Sequence, residues 1–568
     1  MSTPKSELHD DAVSLEQNAS EHTLALNPLI SLRSEDLASS AQLLTKAAIE
    51  QPLAVAKAWM TILGDMVEVA RGKKIRDVES GDKRFKDPAW TNGAVHRAML
   101  QGYLSWSNAM AQFVEESKLE PTDKARARLI AQIIVDAMSP SNTLLGNPAA
   151  LKQFVDTGGE SLLRGMKNFV TDLSENGGLP SMVDRSAFKV GKDIAATPGA
   201  VVFRNEMVEL IQYNPTTPQV RQVPLVIAPP QINKYYALDL SPEKSLIRFA
   251  LEGGFQTFCV SWRNPTPLHR HWGLEDYVQA LDEAVDASRA ITGAEQVSLM
   301  GSCSGGITAS AYAGWLAARD EAKIANLILA VCVLDTATAP DIPGLGSFIA
   351  AETVEIAKQK SRSAGVLDGM EMAKVFAWMR PNDLIWNYWV NNYLLGNNPP
   401  AFDILFWNAD TTRLPAQLHS DYLDMLTTNP FVISKNMAIK GSPVDMRKVK
   451  VNGYVIAGST DHITPWKSVY RTARILGPET TFVLSNSGHL QSLLNPPSNP
   501  KASFAVGTAD RKEADGFLAH AERRKESWWL HWRDWLYDRS GDIIEAPAEL
   551  GSKEFRPDIP APGSYVFE

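Results

Sequence analysis

The sequence predicts an α/β protein: a mostly parallel sheet with helices on both faces, a helical cap inserted into it, and a helical region in front. Three observations carry this. From about residue 190, short apolar runs recur between helical stretches, the pattern of strands in a covered parallel sheet. One interval, about 336–449, breaks that rhythm and is rich in helix formers and aromatics. Before about residue 186, apolar residues fall instead at three- and four-residue spacing.

In chain order, residues 1–25 are polar and acidic and are expected to be disordered. They hold no basic patch followed by an apolar stretch, so no signal peptide is expected. A helical N-terminal domain is assigned to 26–185. Within it, "SEDLASSAQLLTKAAIEQ" and "TDKARARLIAQIIVDAMS" show helical periodicity behind Ser or Thr caps, and "NGGLPS" at 176–181 breaks the pattern. The second domain is assigned to 186–568. "GAVVFRNEMVELIQYNP" reads as paired strands. Further strands are expected at 224–230, 257–264, 296–302, 325–335, 451–461 and 481–489, with the amphipathic helix "LEDYVQALDEAVDASRAIT" between the second and third of these. The cap, about 336–449, is placed over the carboxyl edge of the sheet, where ligands bind in open sheets of this type.

Bulk properties narrow the function. With 568 residues, 44% hydrophobic and 21% charged, the chain is an ordinary globular protein with room for more than one domain. A net charge of -9 gives no basic footprint for nucleic acid. Three cysteines (Cys259, Cys303, Cys332) cannot form a disulfide framework in a chain this long and suggest a reducing compartment. There is no run of 18 apolar residues, so no transmembrane segment is expected and the location is taken as cytoplasmic. Clustered tryptophans, such as Trp528, Trp529, Trp532 and Trp535, are read first as core packing.

The chemistry centres on "GSCSGG", 301–306. A nucleophile on a sharp strand-to-helix turn needs glycine two residues before and two after, because side chains there collide with backbone. Only Cys303 has both, in Gly301 and Gly305; Ser302 would need glycine at Met300, and Ser304 at Ser302. The N-terminus of the following helix favours a thiolate. A nucleophile elbow of the α/β-hydrolase fold is followed in the chain by an acid and then a histidine, each after a later strand. Asp461 in "YVIAGSTDHITP" and His489 in "FVLSNSGHLQS" take those places. His462 is the second-choice histidine and Asp335 the competing acid. Cys259 and Cys332, inside apolar strands, are expected to be inert. The oxyanion hole is expected from the backbone N–H of Ser304 and one from the loop "APPQINKYY", Ile232 or Asn233. Cys332, Ser487 and Gln491 are candidate pocket residues beside the triad. No metal-binding motif and no phosphate-cradling glycine loop is present.

A cysteine here has a chemical rationale. Transfer of an acyl group from a thioester to a thiol is nearly balanced, so an acyl-cysteine keeps the activation that an ester would lose. That suits acyl transfer to an alcohol and equally suits thioester hydrolysis.

The landmarks "PPQINKYYALDLSPEKSL", "VSWRNPT", "GSCSGG", "VFAWMRPNDLIWNYWVNNYLLGN", "DTTRLPAQLH", "STDHITPW" and "SGHLQSLLNPPSNPKASF" resemble polyhydroxyalkanoate synthases. "LNPLISLR" and the cap are most similar to the single-subunit, medium-chain group of pseudomonads, usually called class II. The resemblance implies an α/β-hydrolase fold that polymerises (R)-3-hydroxyacyl-CoA to polyester with release of CoA. It implies Cys303 as nucleophile, His489 as base and Asp461 as third member, with no cofactor, since the CoA thioester is the substrate. It also implies a homodimer at the surface of cytoplasmic polyhydroxyalkanoate granules. On this reading, Trp378 to Trp389 would line an acyl channel or a dimer contact.

Overall fold

A computed structural model describes residues 34–568 apart from 80–81, 338–350, 372–376, 379–380, 434–435, 462 and 478. The expected disorder of 1–25, the second-choice His462 and parts of the cap lie outside the described residues.

The sheet forms from the apolar runs. Its strands are β1 (Gly199–Arg204), β2 (Val208–Tyr213), β3 (Gln219–Ala228), β4 (Phe255–Trp262), β5 (Val297–Ser302) and β6 (Ile324–Ala330). After the cap come β7 (Asn452–Gly458), β8 (Thr481–Ser485), β9 (Phe504–Thr508), β10 (Glu522–Arg524) and β11 (Ile543–Glu545). The order is β1-β2-β4-β3-β5-β6-β7-β8-β9-β10, with β11 paired to β3. From β4 to β8 every pairing is parallel, whereas β1, β2, β9, β10 and β11 pair antiparallel. The last three strands were not expected: β10 and β11 have three residues each, and β10 is the charged triplet Glu-Arg-Arg, which carries no apolar alternation.

Each central strand is buried on both faces, and its alternate residues enter two different cores. Val226, Phe258, Leu299, Leu329 and Val455 pack with Tyr277, Val278 and Leu281 of the helix Leu274–Thr292. Ile227, Cys259, Met300, Ile328 and Ile456 pack on the other face with Leu246, Trp528, Trp529 and Trp532. The core reading of those tryptophans holds: the Trp528 and Trp529 indoles donate to the carbonyls of Ser492 (2.7 Å) and Leu493 (3.1 Å).

In front of the sheet lie the helices Ser34–Glu50, Pro52–Ala70, Ala94–Glu116, Pro121–Ala137, Pro148–Asp156 and Glu160–Glu175. Three start with proline, which has no N–H to leave unpaired there. The Thr122 cap is not used: the helix begins one residue earlier at Pro121, without a side-chain cap. The "NGGLPS" break is real: Asn176 ends the helix and Gly177 and Gly178 after it take positive φ.

The cap lies between β6 and β7 and includes the helices Ala351–Ala364, Asp403–Ala409 and Ala416–Thr428, with π-helical turns at Asn382–Trp386 and Val390–Leu394. These turns are fastened to the N-terminal helices. Asn168 donates to the Asn392 carbonyl (3.0 Å), Tyr393 to Asp172 (2.7 Å), and Arg84 to Asn382 (2.9 Å). The Trp389 indole donates to the Asn142 carbonyl (3.1 Å), and its ring meets Phe169 edge-on. Within the aromatic group at 378–389, Trp389 thus packs against the N-terminal region, in keeping with the reading of clustered tryptophans as packing residues.

Candidate active site

The fold's strand order brings three loops to one edge. Cys303 follows β5 directly and stands at the N-terminus of the helix Ser304–Ala318, with φ 51° and ψ −122°. A non-glycine residue at positive φ is strained and persists only where its surroundings hold it. Here they do: a side chain at Gly301 would put its Cβ 2.7 Å from the Gly306 Cα, and one at Gly305 would meet the carbonyl oxygens of Ala228 (2.2 Å) and Pro229 (2.5 Å). The turn closes only with glycine at both places.

Asp461 follows β7 and His489 follows β8, and the structure brings them into contact. His489 Nδ1 donates to Asp461 Oδ2 at 2.7 Å, and both side chains are buried. Asp461 Oδ2 also accepts from Thr464 Oγ1 (2.5 Å), while Oδ1 accepts the backbone N–H groups of Ile463 (2.8 Å) and Thr464 (2.9 Å). Every oxygen of this carboxylate is committed. With Nδ1 on Asp461, Nε2 is left for Cys303, whose hydrogen bond also stabilises the imidazolium. Burial works against the charged imidazole, but Asp461 and Cys303 outweigh it and push His489 up to about 10. Burial likewise opposes the Asp461 carboxylate, and the His489 contact overcomes it and holds Asp461 below its usual range.

The competing acid is occupied elsewhere. Asp335 pairs with Arg471 (2.9 Å) and accepts from Asn429 (2.9 Å), so it does not serve His489. Cys259 and Cys332 have no exposure, and burial pushes both thiols far up. Cys332 backs the elbow helix against Gly306, bordering the site from behind and not as an open pocket wall. Ser487 lies under the Asp461 turn, its carbonyl accepting the Thr460 N–H (3.3 Å), and Gln491 is half-buried in the short helix that His489 begins.

Of the two loop amides considered for the oxyanion hole, that of Asn233 already donates to Thr412 Oγ1 (2.7 Å). That leaves Ile232, buried beside the elbow, together with Ser304 at the first turn of its helix, where an N–H has no intrahelical acceptor. Thr464 was not foreseen. Its only signal is a hydroxyl residue three places after the acid and just before Pro465, in a turn that opens a helix. Among the described residues, no helix is long and apolar enough to cross a membrane.

Comparison with known proteins bears on the family and the fold. Residues 81–250 match the family "Poly-beta-hydroxybutyrate polymerase (PhaC) N-terminus", and 224–496 match the alpha/beta hydrolase fold. The chain is 50% identical over 554 residues to poly(3-hydroxyalkanoate) polymerase 1 of Ectopseudomonas oleovorans, covering 98% of each. It is 46% identical to polymerase 2 of the same organism, covering 95% of this chain and 96% of that one. It is 37% identical to the poly(3-hydroxyalkanoate) polymerase subunit PhaC of Cupriavidus necator, covering 88% and 85%. The strand order, the cap and a full-length match at half identity lead to one assignment: the chain belongs to the poly(3-hydroxyalkanoate) polymerase family.

Proposed function

We propose that this protein polymerises (R)-3-hydroxyacyl groups from CoA thioesters through an acyl-cysteine intermediate. The observation that carries the reading is the strained Cys303 elbow facing a His489 already oriented by Asp461. In the first half-reaction the Cys303 sulfur attacks the thioester carbonyl, its proton passes to His489 and on to the departing sulfur, and CoA leaves as the thiol, which frees His489 to act as base again. The oxyanion is held by the N–H groups of Ser304 and Ile232. In the second, the 3-hydroxyl of another acyl unit attacks acyl-Cys303 and gives its proton to His489. The ester forms and the cysteine sulfur leaves. Asp461, with both oxygens committed, orients His489 and stabilises its charge; it does not itself take the acceptor's proton. No cofactor enters these steps. The cap excludes water, so that alcohol and not hydrolysis captures the acyl group. Action as a homodimer at the granule surface in the cytoplasm is part of the same reading, with family membership as its support.

The test is to mix the purified protein with (R)-3-hydroxydecanoyl-CoA and follow thiol release and chloroform-soluble product together. Thiol release with insoluble polyester supports a synthase. Release with only free 3-hydroxydecanoate means a hydrolase and refutes the proposal.

A further inference from the structure

Beyond β3 the chain passes through Gln231, Ile232 and Asn233, and the cap grips it there. Thr412 Oγ1 donates to the Gln231 carbonyl (3.1 Å) and accepts the Asn233 N–H (2.7 Å). The Gln231 carbonyl and the Ile232 N–H belong to one planar peptide group, so holding the carbonyl on Thr412 aims that N–H to the opposite side. The Gln231 side chain carries a second connection. Its Oε1 accepts from the Tyr422 hydroxyl (2.9 Å) on the cap, and its Nε2 donates to Thr308 Oγ1 (2.9 Å) on the elbow helix. Its backbone N–H donates to Ser304 Oγ (3.1 Å), one residue from Cys303. Gln231, Thr412 and Tyr422 are all buried, so water does not substitute for these contacts.

From this geometry we infer that Thr412, together with Tyr422 acting through Gln231, positions the Ile232 N–H, so that seating the cap and assembling the oxyanion hole are one event. This rests on the reading of Cys303 as nucleophile and Ile232 as oxyanion donor. Thr412 and Tyr422 are positioning residues; neither touches the reacting atoms. A cap lifted to admit CoA or pass polymer pulls Thr412 off both partners and leaves the hole unmade. Acyl transfer is thereby confined to the closed, water-excluding state.

The experiment compares Thr412→Val, Thr412→Ser and Tyr422→Phe with the wild type, using full-length protein. It reads CoA release from (R)-3-hydroxydecanoyl-CoA and the rate of Cys303 alkylation by iodoacetamide, which needs no oxyanion hole. In Thr412→Val, kcat and kcat/KM should fall together by about 10- to 100-fold, the mark of a contact that matters in the transition state. Thr412→Ser should restore them, and alkylation should be unchanged. Tyr422→Phe should lower kcat in the same direction and carries the test should the valine variant fail to fold. Wild-type kcat in both folded variants overturns the inference. So does a loss that serine does not rescue and that slows alkylation equally. Cys303→Ala runs in parallel: full turnover there removes the underlying reading, whereas its loss beside unaffected Thr412→Val and Tyr422→Phe removes the cap inference alone.

Discussion

Replacing Asp461 by asparagine tests the proposed chemistry at its most constrained point. Two backbone N–H groups, of Ile463 and Thr464, point at Oδ1, so the amide of the variant must place its carbonyl oxygen there and its NH2 where Oδ2 was. That NH2 then faces His489 Nδ1 at about the present 2.7 Å and needs an acceptor. The Thr464 hydroxyl can rotate to accept; the imidazole satisfies the rest only by carrying its proton on Nε2. In that tautomer His489 offers Cys303 no lone pair. The charge effect acts in the same direction: without the carboxylate, burial is no longer outweighed and His489 drops from about 10 toward or below its ordinary value. The equivalent exchange in serine-protease triads costs about 10⁴ in kcat. A loss of about 10³–10⁴ is expected here, roughly 4–5.5 kcal/mol of transition-state stabilisation. Because the exchange conserves shape, the protein should stay folded. The assay is CoA release under saturating substrate, with circular dichroism as the control for folding. A loss of less than about tenfold in a folded Asp461→Asn protein would refute the tautomer argument and the role given to Asp461.

Other outcomes follow from the same structure. Cys303→Ala should abolish polymerisation while leaving the fold; with Cys259 and Cys332 fully buried, iodoacetamide should mark one thiol in the native wild type and none in this variant, as read by mass spectrometry. In Gly305→Ala the new Cβ would press on the carbonyls of Ala228 and Pro229, so stability should fall by about 1–3 kcal/mol with a matching drop in thermal midpoint; an unchanged midpoint would contradict the packing argument. The stability that His489 draws from its partners is fully present below its ordinary value of 6.5 and is lost as pH rises through about 10. That of Asp461 is present above its ordinary 3.8 and lost only as pH falls through its depressed value. The gap in thermal midpoint between wild type and His489→Gln should therefore be widest between about pH 4 and 6.5 and close toward pH 10. A gap constant with pH would count against the ion pair.

The residues of the proposed triad could be picked out because the constraints on them are local. Glycine two residues either side of Cys303 is a steric demand of one turn, and Asp461 and His489 each stand just past an apolar run. Asp335 met the same local criterion, and only the structure shows Arg471 and Asn429 holding it. Contacts made between distant parts of the chain left no pattern to read. Thr412 and Tyr422 meet Gln231 across 181 and 191 residues, and nothing in "DTTRLPAQLH" marks which hydroxyl will face β3. The Thr122 cap failed because the neighbouring Pro121 supplies a helical φ itself.

The fastening of the π-helical turns to the N-terminal helices bears on how the chain is made. Arg164 and Asn168 find their partners, the carbonyls of Gly396 and Asn392, 232 and 224 residues later in the sequence. At about 5–20 residues per second, the helix Glu160–Glu175 waits on the order of ten to forty seconds on the ribosome before those carbonyls exist. During that interval the face it later turns to the cap, with Gly165, Phe169 and Asp172, has no partner, while the opposite row of Leu163, Met166, Val170 and Leu173 is more than half exposed even in the finished protein. Nascent chains stalled before residue 397 should therefore be the species that chaperones hold and that aggregates when they are scarce.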